Sequence, residues 1–244
     1  MAVMKSMGVV GSGQMGSGIA QLGIVHGIDV WLIDSDPNAL ARASKSISSN
    51  IQRLVSKGLL SQAAGSSALG RLRCTKSLEE LHSADIIIEA IAESEDVKRK
   101  LFLELDKIAK SSAILASNTS SISITRLASV TGRPLQVIGM HFMNPPPIMK
   151  LVEVIRGADT SDETFNATKA LAERMFSARR LLGVVLRGVD CITWMTSAQA
   201  EQITRTINPV VKNGKFGYGI GAWGTPPLAT SGIYSLPYFP VCRL

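Results

Sequence analysis

Residues 4–34 read MKSMGVVGSGQMGSGIAQLGIVHGIDVWLID, and this stretch decides the fold. A short apolar run ends in the glycine turn GSGQMG, residues 11–16. A helical stretch follows, and a second apolar run over 30–33 closes on Asp34. Strand, glycine turn, helix and strand in that order predict a βαβ unit that binds a dinucleotide. Gly11 permits the tight turn, Gly13 lets a pyrophosphate approach the backbone, and Gly16 brings the helix against the strand. Ser12, Gln14 and Met15 complete the turn, and the helix N-terminus faces the phosphates. Asp34 stands at the tip of the next strand, where a carboxylate accepts hydrogen bonds from the adenosine ribose hydroxyls. An acid there repels a 2′-phosphate and no Arg follows directly, so NAD is expected rather than NADP.

Outward from this unit the alternation continues. Pro37 opens an amphipathic helix in which Leu40, Ile47, Ile51, Leu54 and Val55 keep helical spacing. DIIIEAIAE, residues 85–93, is a continuous apolar run of the kind buried on both faces of a parallel sheet. Residues 93–110, ESEDVKRKLFLELDKIAK, read as a helix with acids in its first turn and Val97, Leu101, Leu105 and Ile108 on one face. SAILASNTS, residues 112–120, is a further strand, followed by others over 136–141 and 151–155. Thr160 and Glu163 form a capping box ahead of a helix through about Met175. The expected fold is α/β, a Rossmann-type doubly wound sheet over residues 1–176. After Phe176 the text changes. Residues 177–244 hold all three tyrosines and two of the three tryptophans, are rich in Gly and Pro, and show no βα alternation. They read as an irregular, disordered tail.

The chain has 244 residues, enough for a sizeable core, and 45% hydrophobic content with 18% charged residues places it among globular proteins. A net charge of +7 and a pI near 9.5 suit a nucleic-acid binder, and equally an enzyme of anionic, phosphate-bearing ligands. The position of the charge decides between them. Residues 177–244 carry seven Lys/Arg against two Asp/Glu, so the first 176 residues are only +2 and no nucleic-acid partner is expected. Cys74, Cys191 and Cys242 are odd in number and lack metal-ligand spacing, which points to a reduced compartment and no metal. No apolar run reaches membrane-spanning length, so no membrane partner is expected.

Residues 139–154 read GMHFMNPPPIMKLVEV. His141 ends a strand on the same sheet edge as Gly13 and Ser120, and three prolines then force an extended turn. The next strand runs back past it, and Glu153 sits there among apolar neighbours. A buried carboxylate is expensive unless paired, and His141 is the available partner. Glu153 would fix the imidazole tautomer, leaving the other ring nitrogen to take a proton from an alcohol. Asn144 stands just after the histidine, within reach of a nicotinamide. A buried imidazole satisfied by a carbonyl is the competing interpretation; the dinucleotide turn on the same edge favours catalysis. Residues 117–121, Ser-Asn-Thr-Ser-Ser, lie just past a strand's carboxyl end, where ligands bind in such sheets, or else cap a helix. Glu93 and Lys98 flank another strand end and, taken alone, read as a solvated ion pair. Lys57 is a surface lysine or a counter-charge for an anionic substrate.

These residues resemble the L-3-hydroxyacyl-CoA dehydrogenase family, close to its 3-hydroxybutyryl-CoA members. GVVGSGQMGSGIAQ, ADIIIEAIAESEDVKRKLF, ASNTSSISITRLA and GMHFMNPPPIMKLVEVI carry the resemblance, which runs from about Lys5 to Phe176. It implies NAD-dependent oxidation of a (3S)-3-hydroxyacyl-CoA to the 3-ketoacyl-CoA, in fatty-acid β-oxidation. It makes His141 the general base, Glu153 its partner and Ser120 a hydrogen bonder of the substrate oxygen, with Asn144 beside it near the cofactor. It also implies cofactor contacts from Glu93 and Lys98, and a CoA contact from Lys57.

The resemblance stops at the tail. The family continues with a substrate-site asparagine and a helical domain that completes the acyl cleft and the dimer interface; residues 177–244 match neither. The family dimer interface is therefore expected to be absent, and the change of composition suggests a truncated isoform from alternative splicing or a shifted reading frame. Two functions stand: a working hydride-transfer enzyme with an acyl-CoA substrate, or a catalytically impaired NAD-binding remnant. A dehydrogenase of small hydroxy acids is disfavoured by the HFMNPPP and KLVEV blocks. A strand starting near Ser6 leaves no room for a presequence, and the terminal Cys-Arg-Leu loosely resembles a peroxisomal tripeptide. The expected compartment is peroxisomal or cytoplasmic rather than mitochondrial.

Overall fold

The sheet is built from β1 (Ser6–Val10), β2 (Asp29–Ile33), β3 (Leu72–Thr75), β4 (Ile86–Glu89), β5 (Ile114–Ser117), β6 (Val137–Phe142), β7 (Val152–Arg156) and β8 (Val184–Leu186). In this computed structural model, which describes residues 3–149, 151–176 and 184–186, the strand order is β3-β2-β1-β4-β5-β6-β7-β8. Neighbours run parallel throughout, except that β6 and β7 are antiparallel. The chain leaves β1 towards β2 and β3, then returns to place β4, β5 and β6 on the other side. That reversal is the switch point of a doubly wound sheet, and ligands bind at its carboxyl edge.

Strand periodicity sorts side chains to two faces. On one face Met7, Val9, Ile86, Ile88, Ile138, Met140, Phe142, Val152 and Val154 join a single apolar cluster. The helices α1 (Gln14–Val25), α2 (Pro37–Ser56) and α6 (Asp162–Met175) close over it with Ile19, Ile47, Ile51, Leu171 and Met175. On the other face lie α4 (Glu95–Ile108) and α5 (Ile124–Ala128), together with a 3-10 turn, Leu78–Ser83. Gly8 faces Leu81 of that turn, and Gly139 faces Ile124 of α5. By the same alternation Glu89, Ser117, His141 and Glu153 all belong to this second face. A further helix, α3 (Gln62–Gly70), packs on α1 and α2.

Several local expectations shift. The buried stripe of α4 is Lys98, Leu101, Phe102 and Leu105, whereas Val97 is 49% exposed. A lysine occupies the apolar face because carboxylates wait beneath it. The cap of α6 is Ser161, whose Oγ accepts from Thr164 N at 3.1 Å, rather than Thr160. Thr160 Oγ1 instead donates to Val137 O at 2.7 Å and accepts from Gly157 N at 2.8 Å, tying the turn after β7 to β6. Finally, β8 falls within residues 177–244. Its Val-Val-Leu run pairs parallel to β7 after α6, so βα alternation extends past residue 176. A strand this short has too few residues for periodicity to mark it. The rest of 177–244, with Cys191 and Cys242, lies outside the described residues.

Candidate active site

The glycine turn has the geometry its sequence predicts. Gly11 has φ +101°, a region that favours glycine, and a Cβ there would sit 2.6 Å from Ala90 O. A Cβ on Gly16 would lie 1.7 Å from Gly11 O, so the helix starts against the turn with no room for a side chain. At Gly13 a Cβ would meet nothing within 4 Å. That space lies open at the start of α1, whose first turn has no side-chain cap and no acid, so its N–H groups face outward unpaired by the helix. This opening suits the pyrophosphate of a dinucleotide.

Asp34 is locked rather than merely present. Its Oδ2 accepts from Ser12 N at 2.7 Å and Ser12 Oγ at 2.8 Å, and its Oδ1 accepts from Asp36 N at 3.0 Å. Burial opposes its ionisation, but these hydrogen bonds from Ser12 and Asp36 prevail and hold the carboxyl below the usual Asp range. A cleft of about 330 Å³ opens beside it, lined by Gly11, Asp34, Ile91, Val97 and Lys100 among others. Val97 is therefore exposed into a ligand-sized space. The residues present fit a nicotinamide dinucleotide at three points: the open Gly13, the bare N-terminus of α1 and the ionised Asp34.

On the far side of the switch point three further groups gather. His141 and Glu153 are cross-strand neighbours, and His141 Nδ1 lies 2.7 Å from Glu153 Oε2. With Nδ1–H donating to that carboxylate, Nε2 carries the lone pair. Glu153 is buried at 4% exposure, as the cost of burying a lone carboxylate requires of a paired one. The loop after β5 is clamped beside them, since Asn118 Oδ1 accepts from Phe142 N at 2.8 Å. The same loop is gripped by Glu93, whose Oε1 accepts from Thr119 Oγ1 at 2.5 Å, Ser120 N at 3.1 Å, Ser121 Oγ at 3.2 Å and Ser120 Oγ at 3.4 Å. Burial works against the Glu93 charge, but Thr119 and the Lys98 ammonium outweigh it and lower its pKa. Asn144 is exposed just before Pro145, at the mouth of the turn.

Lys98 departs from expectation. It is 1% exposed, and its ammonium faces Glu89 Oε1 at 2.5 Å, Glu93 Oε2 at 3.2 Å and Ile91 O at 3.4 Å. Its ammonium is buried among three protein acceptors, so it is not a solvated ion pair. Sequence reasoning gave Glu89 no role, and took Ser117, Asn118 and Thr119 as ligand contacts or a helix cap rather than as the internal network they form. Their one signal was the polar end of a strand otherwise buried on both faces. Lys57 ends α2, exposed, in a second cleft of about 420 Å³ together with Arg53, Asn50, Gln21 and Pro146.

Residues 6–179 match the family described as 3-hydroxyacyl-CoA dehydrogenase, NAD binding domain. The chain belongs to that family. A 3-hydroxybutyryl-CoA dehydrogenase of Bradyrhizobium diazoefficiens is 47% identical over 174 residues, which cover 71% of this chain and 59% of that protein. The human mitochondrial hydroxyacyl-coenzyme A dehydrogenase is 37% identical over 194 residues, 75% of this chain and 62% of the relative. The crystal structure of (S)-3-hydroxybutyryl-CoA dehydrogenase from Ralstonia eutropha superposes with a TM-score of 0.69 at 44% identity, covering 70% of this chain and 61% of that one. The chain thus spans about three fifths of the length of these relatives, and the shared part is the NAD-binding domain.

Proposed function

We propose that the chain oxidises a (3S)-3-hydroxyacyl-CoA, such as 3-hydroxybutyryl-CoA, to the 3-ketoacyl-CoA with NAD. The observation that carries this reading is the His141–Glu153 pair at 2.7 Å on the same sheet edge as the dinucleotide turn. The relatives' names supply the substrate class, and the second cleft supports it. Arg53 and Lys57 bring two cations to a space that begins beside Pro146, at the turn following His141. A phosphate-bearing CoA has its counter-charges there.

His141 Nε2 takes the proton of the substrate hydroxyl. Glu153 holds Nδ1–H, keeps the tautomer and stabilises the imidazolium that results. NAD, when bound, supplies the hydride acceptor. Ser120 Oγ hydrogen-bonds the substrate oxygen, and the Glu93 carboxylate fixes the loop that carries it. Asn144 borders the nicotinamide end. The test is NADH oxidation by the purified chain with acetoacetyl-CoA, against His141→Ala. Loss of roughly 10²–10⁴-fold in kcat in the variant supports the assignment. Equal rates in both would sink it.

A second reading is favoured by the chain's coverage of only 59% of its Bradyrhizobium relative. Residues 1–176 would then be an NAD-binding domain that binds cofactor without useful turnover, because positioning contributes several kcal/mol to lowering a barrier. Soluble, folded protein that binds NAD but leaves acetoacetyl-CoA unreduced would establish it. A molar mass by light scattering matching a monomer would fit a missing dimer interface.

A further inference from the structure

We propose that Glu89, Lys98 and Glu93 form an electrostatic selector for the oxidised cofactor, with Glu89 supplying a buried negative charge that no motif marks. The proposal rests on the NAD reading of the glycine turn. Glu89 is the last residue of β4, with 0% exposure. Its Oε1 accepts from Lys98 Nζ at 2.5 Å and Ile91 N at 2.8 Å, and its Oε2 accepts from Ser117 Oγ at 2.6 Å. Ser117 Oγ in turn accepts from Thr119 N at 3.2 Å. Glu93 reaches the same ammonium from outside and remains 40% exposed.

Charge and place give the triad its role. One ammonium stands against two carboxylates, so the cluster is net negative. A single buried pair would already have neutralised Lys98, and burying charges is costly even when they are paired. The adenosine end of the cofactor belongs with Asp34, on the β2 side of the switch point. Crossing the pyrophosphate site at Gly13 puts the nicotinamide end over β4, β5 and β6, where Glu93 and the 119–121 loop lie. The oxidised nicotinamide ring carries a positive charge and the reduced ring carries none. A net negative cluster close by, in a poorly screened setting, holds the oxidised form more tightly. Lys98 serves as the hinge of the arrangement: it makes two carboxylates compatible at one site.

The Glu89→Gln variant isolates the charge. The amide oxygen keeps accepting from Lys98 and Ile91 N, and the amide nitrogen donates to Ser117 Oγ, so the hydrogen-bond count survives while the cluster becomes neutral. Isothermal titration calorimetry of the full chain with NAD+ and with NADH, without substrate, reads the two dissociation constants. The expected result is that the preference for NAD+ over NADH weakens roughly three- to tenfold. Adding Lys98→Met to Glu89→Gln leaves Glu93 as the one charge, and the preference returns towards that of the native chain. A merely structural role predicts parallel weakening of both ligands, worse in the double variant; that outcome overturns the selector and leaves NAD binding standing. If Glu89→Gln does not fold, Glu93→Gln decides by the same ratio, an unchanged ratio again overturning it. A native chain that binds neither form sinks the NAD reading itself, and the selector with it.

Discussion

Gly18 of α1 lies against the rings of Pro146 and Pro147: a Cβ at Gly18 would stand 2.9 Å from Pro146 Cδ and 3.1 Å from Pro147 Cδ. The absent side chain lets the turn after His141 seat on α1, the helix that opens at the glycine turn. Gly18→Ala gains about 0.5–1 kcal/mol of helix propensity and meets an overpacking cost of about 1–3 kcal/mol. Proline rings cannot swing aside, so the cost prevails. Expected are a Tm lower by a few degrees in a thermal melt and, under the proposed function, kcat lower by roughly tenfold as the turn moves.

Glu153→Gln separates charge from packing. The amide oxygen still accepts from His141 Nδ1, and a buried charge disappears, so thermal stability should hold or rise slightly. Under the proposed function, stabilisation of the imidazolium is lost, and kcat with acetoacetyl-CoA should fall by about 10²-fold or more at nearly constant KM. A variant as active as the native chain would show that Glu153 is a structural partner only.

The two glycines of the turn should fail in different ways. Gly13→Ala adds a Cβ into open space at φ −63°, so the melt should be unchanged while the Kd for NAD rises tenfold or more by calorimetry, on the order of 1.4 kcal/mol. Gly16→Ala drives a Cβ to 1.7 Å from Gly11 O and should destabilise the fold by at least about 3 kcal/mol in a urea titration. Equal effects on stability would mean that the space at Gly13 is not a ligand site.

Asp85 gives a pH dependence remote from the site. Burial opposes its charge, but Lys110 Nζ at 2.6 Å and the N–H groups of Lys5 at 2.7 Å and Ser6 at 3.0 Å win, and its pKa lies below the ordinary 3.8. A folded-state pKa below the unfolded one means stability that is complete above the ordinary value and lost as pH falls through the depressed one. Asp85→Asn should therefore cost about 1 kcal/mol at pH 7. The gap from the native chain should close as urea midpoints are followed below pH 3.8.

Much of this architecture was legible before the structure. Gly11, Gly13 and Gly16 announce themselves because each answers a separate backbone demand within six residues. The His141–Glu153 pairing was legible because strand side chains alternate: across an antiparallel turn, matching parity and an expensive buried carboxylate leave few partners. The burial of Lys98 was hidden for the opposite reason. Its burial is set by Glu89, nine residues away, and Glu93, five away, whose positions depend on how β4 ends, and a helical wheel sees only the apolar Val97 beside it. The Ser161 cap went unrecognised because Thr160 with Glu163 fits the capping-box pattern while Ser161 is followed three residues on by Thr164, and only the bond of Thr160 to Val137 O removes it from contention.

The reversal of direction between β6 and β7 also has a kinetic side. His141 and Glu153 are 12 residues apart, whereas Met7 and Ile86, partners in the parallel sheet, are 79 apart. Loop closure grows with the logarithm of length, so the shorter loop closes at an entropic advantage of about 1.7 kcal/mol. The His141–Glu153 pair is thus a short-range contact within a sheet otherwise stitched by distant ones. Its two halves are tethered by one proline-rich turn, so bringing them together closes a short loop rather than one that spans several helices.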